Sequence, residues 1–293
     1  MATEIRALIE EGATRLRRAA DDPRREAELL LAAALGRSRA SLLAHPEERI
    51  LDCDATDRYE SHLTRRAIGE PVAYILGEKE FWSLPLMVTR DVLVPRAETE
   101  LVVERALAHV PVDREALVLD LGTGSGAIAL AIARERPACR VLGTDVSGAA
   151  AAVAAANARR LGLSNSRFET GAWYAPAGGE RYDVIVCNPP YVADGDPDLA
   201  WQVRRHEPAQ ALYSGPTGLE ALQTIVGDAA AHLRPEGWLV LEHGARQGAA
   251  VRSMLAASGF TQVATFRDLA GHERCTEGTL PFSGNETQGP SRR

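Results

Sequence analysis

The sequence predicts an α/β fold: a mostly parallel sheet covered by helices on both faces, preceded by a small helical bundle. Residues 97–282 alternate short apolar runs with helix-like segments, the pattern that parallel strands joined by helical crossovers produce. Residues 1–80 are rich in Ala, Leu and Arg, have apolar residues at helical spacing and contain no glycine-rich cluster. Residues 81–96 alternate apolar and turn residues and predict a hairpin linker, whereas the polar tail 283–293 is expected to be disordered.

The helical bundle has one clear start signal and a mixed charge pattern. Asp22 can cap a helix whose first turn contains Pro23. The arginines of the bundle are interspersed with Asp and Glu, which favours a solvated helix face over a partner-docking patch. They are Arg17, Arg18, Arg24, Arg25, Arg65 and Arg66.

The second domain opens with a strand, a glycine-rich turn and a helix. The apolar run 117–121 is followed by the turn, and an apolar helix from residue 127 ends before Pro137. The turn consists of Gly122, Thr123, Gly124, Ser125 and Gly126. Alternate glycines let the backbone approach a ligand closely, and the helix N-terminus behind them favours an anionic group. The segment therefore predicts a ligand-binding loop.

A second strand, residues 140–145, ends in Asp145 about twenty residues after the glycines. Nucleotide-binding α/β folds place there the carboxylate that accepts the ribose hydroxyls. Dinucleotide folds need Gly-x-Gly-x-x-Gly, whereas this chain has Gly-x-Gly-x-Gly with Asp120 shortly before it. S-adenosylmethionine has a ribose and an amino-acid end but no phosphate, so the spacing predicts this cofactor and disfavours a nicotinamide dehydrogenase. Ser147 is expected to cap the next helix, 148–161.

The apolar strand 182–187 leads directly into Asn188, Pro189, Pro190 and Tyr191. Asparagine offers a carbonyl oxygen on a short side chain, the prolines hold the backbone stiff without N–H groups, and tyrosine supplies a flat wall. This arrangement predicts a site that grips a planar NH₂ group through the asparagine oxygen and the first proline's carbonyl, with no dedicated general base. The segment 192–217, which interrupts the strand–helix alternation, is expected to form one wall of the substrate cleft.

Further segments complete a family pattern. They are residues 70–77 with Glu80-Phe81-Trp82, Val94-Pro95-Arg96 with Thr99-Glu100, Asn157-Ala158 with Leu161-Gly162-Leu163, Leu241-Glu242-His243-Gly244, and Asp268-Leu269-Ala270-Gly271. With them, the chain resembles the release factor glutamine methyltransferases (the HemK/PrmC family) over nearly its whole length. Two departures are visible: residues 95–100 read Pro-Arg-Ala-Glu-Thr-Glu where the family usually has Pro-Arg-Pro-Asp-Thr-Glu, and a common proline near Arg90 is absent.

The resemblance implies a class I S-adenosylmethionine-dependent methyltransferase fold, Rossmann-like, with an N-terminal docking domain. It implies that residues 122–126 line the methionine end of the cofactor, that Asp145 accepts the ribose hydroxyls and that Trp173 lies beside the adenine. It also implies that residues 188–191 bind the glutamine of the Gly-Gly-Gln motif of bacterial peptide chain release factors, with Asn188 touching the cofactor as well.

Other functions share parts of this pattern. A DNA adenine methyltransferase or a ribosomal-protein glutamine methyltransferase could contain both motifs, and a non-catalytic protein could keep the cofactor fold alone. The net charge of −7 argues against nucleic acid, and an intact asparagine–proline motif argues against a pure binder. The four cysteines lack paired spacing and no long apolar run or signal peptide stands out, so we expect a cytoplasmic monomer without metal or membrane contact.

Overall fold

The computed structural model describes residues 3–282, so the predicted disordered tail lies outside the described residues. The described chain forms two compact units. The first contains the residues up to Lys79, together with Val88–Arg90 and Asp198–Glu207. The second contains Glu80–Met87, Asp91–Pro197 and the residues from Pro208 onward.

The first unit is a helical bundle, as expected. Its helices are α1 (Ile5–Leu16), α2 (Pro23–Leu35), α3 (Arg39–Ala44), α4 (Cys53–Ala67) and α5 (Val72–Leu76), with two short paired strands, β1 (Thr3–Glu4) and β2 (Arg49–Ile50). Asp22 caps α2 by accepting a hydrogen bond from the Arg25 backbone N–H at 3.1 Å, and Pro23 is the first helical residue. Buried Tyr59 on α4 donates to the Leu8 carbonyl at 3.1 Å, which ties α4 to α1 inside the apolar core.

The buried carboxylate of Glu70 organises the end of this bundle. Arg65 donates to it at 2.8 Å and Arg90 at 2.7 Å. These hydrogen bonds, that of Arg65 above all, outweigh the effect of burial and lower the pKa of Glu70 to about 2. Glu70 therefore remains ionised and paired.

The second unit is built on a seven-stranded sheet. The hairpin before it comprises β3 (Glu78–Phe81) and β4 (Leu84–Met87), and the short helix α9 (Trp201–His206) is grouped with the first unit. The other elements are α6 (Glu100–His109), β5 (Leu117–Leu121), α7 (Ala127–Glu135), β6 (Arg140–Asp145), α8 (Gly148–Leu161), β7 (Ser166–Thr170), β8 (Tyr182–Cys187), α10 (Glu220–His232), β9 (Leu233–Glu242), α11 (Gly248–Ala257), β10 (Thr261–Arg267) and β11 (Glu273–Thr279).

The strand order is β10-β11-β9-β8-β5-β6-β7. The five strands from β9 to β7 are parallel, and β11 and β10 complete one edge in antiparallel pairing. Each face carries its own apolar core, since Val118 of β5 packs into one cluster and Leu119 into the other. The mostly parallel sheet covered on both faces is confirmed.

The register of the central strands brings the ends of three strands together. Leu121 at the end of β5 pairs with Thr144 of β6 on one side and with Cys187 of β8 on the other. The chain runs outward from β5 through β6 to β7 and then returns to β8 on the opposite side of β5. This reversal is a topological switch point, the place where open α/β sheets bind ligands.

The hairpin differs from its expected position, because it occupies residues 78–87. Its turn is formed by Trp82 and Ser83, which have φ values of 51° and 57°. The Trp82 backbone N–H donates to Glu100 at 2.9 Å and its indole N–H donates to Glu135 at 3.0 Å. Two side-chain contacts thus hold a turn that residues other than glycine rarely adopt.

Candidate active site

A cavity of about 280 Å³ lies beyond the carboxyl ends of β5, β6 and β8. Its walls combine the glycine turn, the end of β6, the asparagine–proline motif and two loops. The lining residues are Asp91, Val92, Leu93, Pro95, Arg96, Thr99, Gly122, Thr123, Gly124, Ser125, Ala127, Ile128, Asp145, Val146, Ser147, Ala150, Ala172, Trp173, Asn188, Pro190, Pro208, Gln210 and Ala211. The two sequence motifs therefore meet at one site.

The glycine turn needs its glycines for two different reasons. Gly122, Gly124 and Gly126 have φ values of 68°, 55° and 84°, a region that other residues adopt with strain. A β-carbon at Gly124 would meet no protein atom within 4 Å, so the space beside this backbone is open to a ligand. A β-carbon at Gly126 would lie 3.0 Å from Leu130, so Gly126 serves the packing of α7 and does not line the cavity.

Two polar groups outside the turn hold it in place. The Thr123 backbone N–H donates to the Thr144 carbonyl at 2.9 Å. Asn157, a fully buried residue of α8, donates to the Ser125 carbonyl at 2.9 Å and also bonds the backbone of Met87. Asn157 belonged to the family pattern, and the structure gives it a supporting role that its sequence position alone did not reveal.

Asp145 at the end of β6 receives backbone hydrogen bonds on both oxygens. The Gly124 N–H donates to Oδ2 and the Ser147 N–H to Oδ1, each at 2.9 Å. A carboxylate has about four lone-pair sites, so each oxygen can accept one more hydrogen bond. Ser147 caps α8 by accepting from the Ala150 N–H at 3.2 Å, as expected.

Trp173 forms a flat wall of the cavity. It has a φ of 44°, and its carbonyl accepts a hydrogen bond from the Thr144 hydroxyl at 2.9 Å. One atom of its indole lies 3.7 Å from where a β-carbon of Gly122 would stand. The ring therefore stands next to the glycine turn.

The asparagine–proline motif divides its residues between the cavity and the packing below it. Asn188 and Pro190 line the cavity, whereas Pro189 is buried and Tyr191 faces inward, donating to Glu242 Oε1 at 3.3 Å. Asn188 Nδ2 donates to Thr99 Oγ1 at 3.1 Å.

Two buried carboxyl groups lie beneath the site. Burial raises the pKa of Asp120 to about 7, against opposing hydrogen bonds from Thr123 and the Ala129 backbone, and raises that of Glu242 to about 7. Asp120 accepts from the Thr123 hydroxyl at 2.7 Å and thereby fixes a residue of the glycine turn. Within residues 3–282, Asp120 Oδ1 and Glu242 Oε2 are buried without a hydrogen-bond partner.

Two further parts of the wall lie outside the glycine turn and the asparagine–proline motif, and the sequence pattern anticipated only the second of them. One is the loop before α6, from Asp91 to Thr99, whose only signal was the family pattern at residues 94–100. The other comprises Pro208, Gln210 and Ala211, which belong to the segment 192–217 that was expected to form a wall. No group of three metal-binding side chains occurs in the described part of the chain.

Comparisons with known proteins show the family to which the chain belongs. The family model "PrmC N-terminal domain" matches residues 7–77, and "Methyltransferase small domain" matches residues 99–215. The release factor glutamine methyltransferase of Xylella fastidiosa is 50% identical over 87% of this chain and 93% of that protein. The protein of the same name from Pseudomonas aeruginosa is also 50% identical, over 87% and 92%. The chain belongs to the release factor glutamine methyltransferase family.

The fold of the second unit is the class I methyltransferase fold, as the resemblance implied. A methyltransferase from Pyrococcus furiosus is 18% identical and superposes with a TM-score of 0.52, covering 77% of this chain and 99% of its own. At this identity, the likeness concerns the fold.

The site fits S-adenosylmethionine, the methyl donor of the release factor glutamine methyltransferase family. The open backbone at Gly124 leaves room for a ligand against the turn, and Asp145 keeps lone pairs for hydroxyl donors. Trp173 offers a flat apolar surface that suits a purine. S-adenosylmethionine contains no phosphate, so the site does not need a phosphate-binding loop.

Proposed function

We propose that this chain methylates the side-chain amide nitrogen of the glutamine in the Gly-Gly-Gln motif of a peptide chain release factor. The observation that carries the proposal is that Asn188 and Pro190 line the same cavity as the glycine turn and Asp145. S-adenosylmethionine supplies, when bound, an electrophilic methyl group on a positively charged sulfur. Asn188, Pro189, Pro190 and Tyr191 are the residues to which we assign the substrate amide.

The amide nitrogen is a poor nucleophile because its lone pair is delocalised into the carbonyl. Asn188 Oδ1 and the Pro189 carbonyl accept its two hydrogens and so stabilise the positive charge that develops on nitrogen. The same two contacts fix the orientation of the nitrogen, which replaces the entropy lost in a free encounter. Tyr191 supports the plane of the motif, and the surplus proton leaves to water, so no dedicated base is required.

We assign the cofactor to the glycine turn, Asp145 and Trp173. Residues 122–125 hold the amino-acid end, with Gly126 fixing the turn against α7, Asp145 accepts the ribose hydroxyls, and Trp173 lies beside the adenine. Asn188 borders the same cavity and so contacts both ligands.

We also propose that the helical unit docks the release factor. Of the six arginines noted in the sequence, Arg24, Arg65 and Arg66 form ion pairs with acidic residues of the same unit. The other three arginines are exposed: Arg17 and Arg18 directly follow α1, and Arg25 lies in the first turn of α2. These three are the candidates for contact with an acidic surface of the factor.

Charge reversal tests the docking proposal. Arg17→Glu, Arg18→Glu and Arg25→Glu combined should raise KM for an intact release factor about tenfold while leaving transfer to a short Gly-Gly-Gln peptide unchanged. A matched control is Arg114→Glu, an exposed arginine of the second unit. An unchanged KM for the intact factor contradicts docking by this surface.

We further propose that the enzyme acts in the cytoplasm as a monomer and without nucleic acid. The net charge of −7 disfavours a nucleic acid partner, and the four cysteines are free thiols, which suits a reducing compartment. Among residues 3–282 no helix is long and apolar enough to span a membrane.

Mass spectrometry of a purified release factor, incubated with this protein and S-adenosylmethionine, tests the function. We expect a gain of one methyl group that maps to the Gly-Gly-Gln glutamine. Asn188→Ala should abolish the transfer but change cofactor affinity only a few-fold, because the turn and Asp145 remain. No methyl gain, with cofactor binding shown by calorimetry, would overturn the proposed substrate, and a normal rate for Asn188→Ala would overturn the clamp.

A further inference from the structure

Beneath the asparagine–proline motif lies a buried carboxyl group, Glu242 at the end of β9, that lines no part of the cavity. Glu242 is 1% exposed and Thr99 is 4% exposed. The Tyr191 hydroxyl donates to Glu242 Oε1 at 3.3 Å, and the Thr99 hydroxyl is also hydrogen-bonded to the Glu242 carboxyl group. Thr99 in turn contacts Asn188 at 3.1 Å. One carboxyl group is therefore linked to both ends of the motif.

The chemistry of this chain fixes the direction of each hydrogen bond. Above about pH 7 Glu242 is ionised and its carboxylate only accepts, so the single hydrogen of the Thr99 hydroxyl points to Glu242. The Thr99 oxygen can then only accept from Asn188, which places the NH₂ of Asn188 against Thr99. Oδ1 of Asn188 is consequently on the opposite edge of the amide. The orientation of an asparagine amide, otherwise ambiguous, is set here by its neighbours.

We infer that Glu242 and Thr99 are positioning residues that hold Asn188 with its oxygen, and not its NH₂ group, towards the substrate amide. The inference rests on the proposed function, because only a substrate that donates two hydrogens needs an acceptor at this position. An Asn188 amide turned by 180° would present a donor to the substrate NH₂, and the grip would be lost. Neither Glu242 nor Thr99 needs to touch the substrate for this effect.

The second arm of the network holds the other end of the motif. Tyr191 donates its hydroxyl to Glu242, and its carbonyl accepts from Gln247 Nε2 at 3.1 Å. A β-carbon at Gly218 would lie 2.5 Å from the same carbonyl, so Gly218 allows the chain to pass close to it. The motif is thus fixed at Asn188 and at Tyr191 by groups that lie outside it.

The electrostatics of Glu242 agree with this role. Burial, and to a smaller extent the charge of Glu98, raises the pKa of Glu242. The hydrogen bonds from Thr99 and Tyr191 and the charge of Arg274 lower this pKa. The hydroxyl groups of Thr99 and Tyr191 therefore stabilise the ionised form that orients them. Glu98, which departs from the family pattern, acts on this group through its charge.

Two substitutions at Thr99 separate orientation from packing. Thr99→Val keeps the shape and removes the hydroxyl, so it should lower kcat about 100-fold, while KM for the release factor and the cofactor Kd change less than about threefold. Thr99→Ser keeps the hydroxyl and removes a methyl group, and it should recover most of the turnover. A packing role predicts the reverse order, so Thr99→Ser falling below Thr99→Val would overturn the inference.

A control and a second partner complete the kinetic test. Thr276→Val removes another buried threonine hydroxyl, which contacts His243 at 2.8 Å and does not line the cavity, and kcat should stay unchanged. Glu242→Leu removes both carboxyl oxygens and should lower kcat as Thr99→Val does. Wild-type turnover retained in both Thr99→Val and Glu242→Leu would refute the inference and leave the proposed function intact, whereas a wild-type protein inactive on release factor would refute the function itself.

Nuclear magnetic resonance gives a readout that does not depend on activity. The side-chain NH₂ signals of Asn188, identified by their loss in Asn188→Ala, should show a cross-peak to the Thr99 methyl group in the protein without ligands. Glu242→Leu should weaken or remove this cross-peak. An Asn188 NH₂ without contact to Thr99 in the wild type would show that the amide is not held in the inferred orientation.

Discussion

Asp120 shows how a residue can serve the site without reaching the cavity. Its carboxyl group is 1% exposed, accepts hydrogen bonds from the Thr123 hydroxyl and the Ala129 N–H, and lies near Asp145. It joins the glycine turn to the first residues of α7, so that one buried group defines the geometry of both. The cost of this arrangement is an acidic group whose ionised form is poorly solvated.

The raised pKa of Asp120 predicts a pH-dependent stability. The folded protein retains a proton on Asp120 up to about pH 7, whereas the unfolded chain releases it near pH 4. Folding is therefore favoured at low pH, and this contribution is lost as pH rises from about 4 to 7, by at most about 1.4 kcal/mol per pH unit. The free energy of unfolding of the wild type minus that of Asp120→Asn should fall between pH 5 and pH 8 in urea titrations.

Taking the difference in the free energy of unfolding between the wild type and Asp120→Asn removes the contributions of the other titrating groups. Glu242, whose pKa is also raised, and His232 and His243, whose pKa values burial lowers, are present in both proteins and cancel. Asp113→Asn, at an exposed position before β5, is the matched control, because it removes a carboxyl group that is not buried. Parallel curves for the wild type and Asp120→Asn would contradict the raised pKa.

Among the elements, β6 has no space for a side chain at Gly143, which pairs with Phe168 of β7. A β-carbon there would lie 2.5 Å from Phe168 on β7 and 2.7 Å from the Thr123 hydroxyl. The Thr123 hydroxyl cannot move aside freely because it is bonded to Asp120. Gly143 is therefore a packing glycine, and its size keeps β6 and the glycine turn in register.

Gly143→Ala should destabilise the protein by about 1–3 kcal/mol, the usual effect of overpacking a core. Gly179→Ala is the matched control, because a β-carbon there meets nothing within 4 Å and its φ is not positive. Thermal unfolding followed by circular dichroism should give a lower Tm for Gly143→Ala and little change for Gly179→Ala. Equal Tm values for the two variants would show that the residues around Gly143 accommodate a methyl group without strain, which contradicts the prediction.

The elements that the sequence predicted well are those governed by local pattern. Strands 117–121, 140–145 and 182–187 and the Ser147-capped helix 148–161 appear with the expected bounds, since buried parallel strands are continuous apolar runs and caps are local. The hairpin was displaced because its turn depends on Glu100 and Glu135, which lie far along the chain.

At the scale of the whole molecule, the candidate site combines contiguous motifs with long-range contacts. The glycine turn, Asp145 and Asn188 could be predicted because each motif carries its chemistry in adjacent residues. The roles of Thr99 and Glu242 could not, because Thr99 is 89 residues from Asn188, and Glu242 is 51 residues from Tyr191. Only the strand order and register bring these groups together.

After β7 the next strand, β8, is added on the other side of β5, and this strand order also bears on the order of events during folding. β5, β6 and β7 are consecutive in sequence and neighbours in the sheet, and they carry the glycine turn and Asp145. Pairing them closes only short loops, which costs little conformational entropy. The residues proposed to clamp the amide join the site only when β8 pairs with β5, and Glu242 only when β9 pairs with β8; both pairings join more distant parts of the chain, and such pairings form more slowly. We therefore expect a refolding chain to gain the framework for its cofactor before it gains catalytic competence.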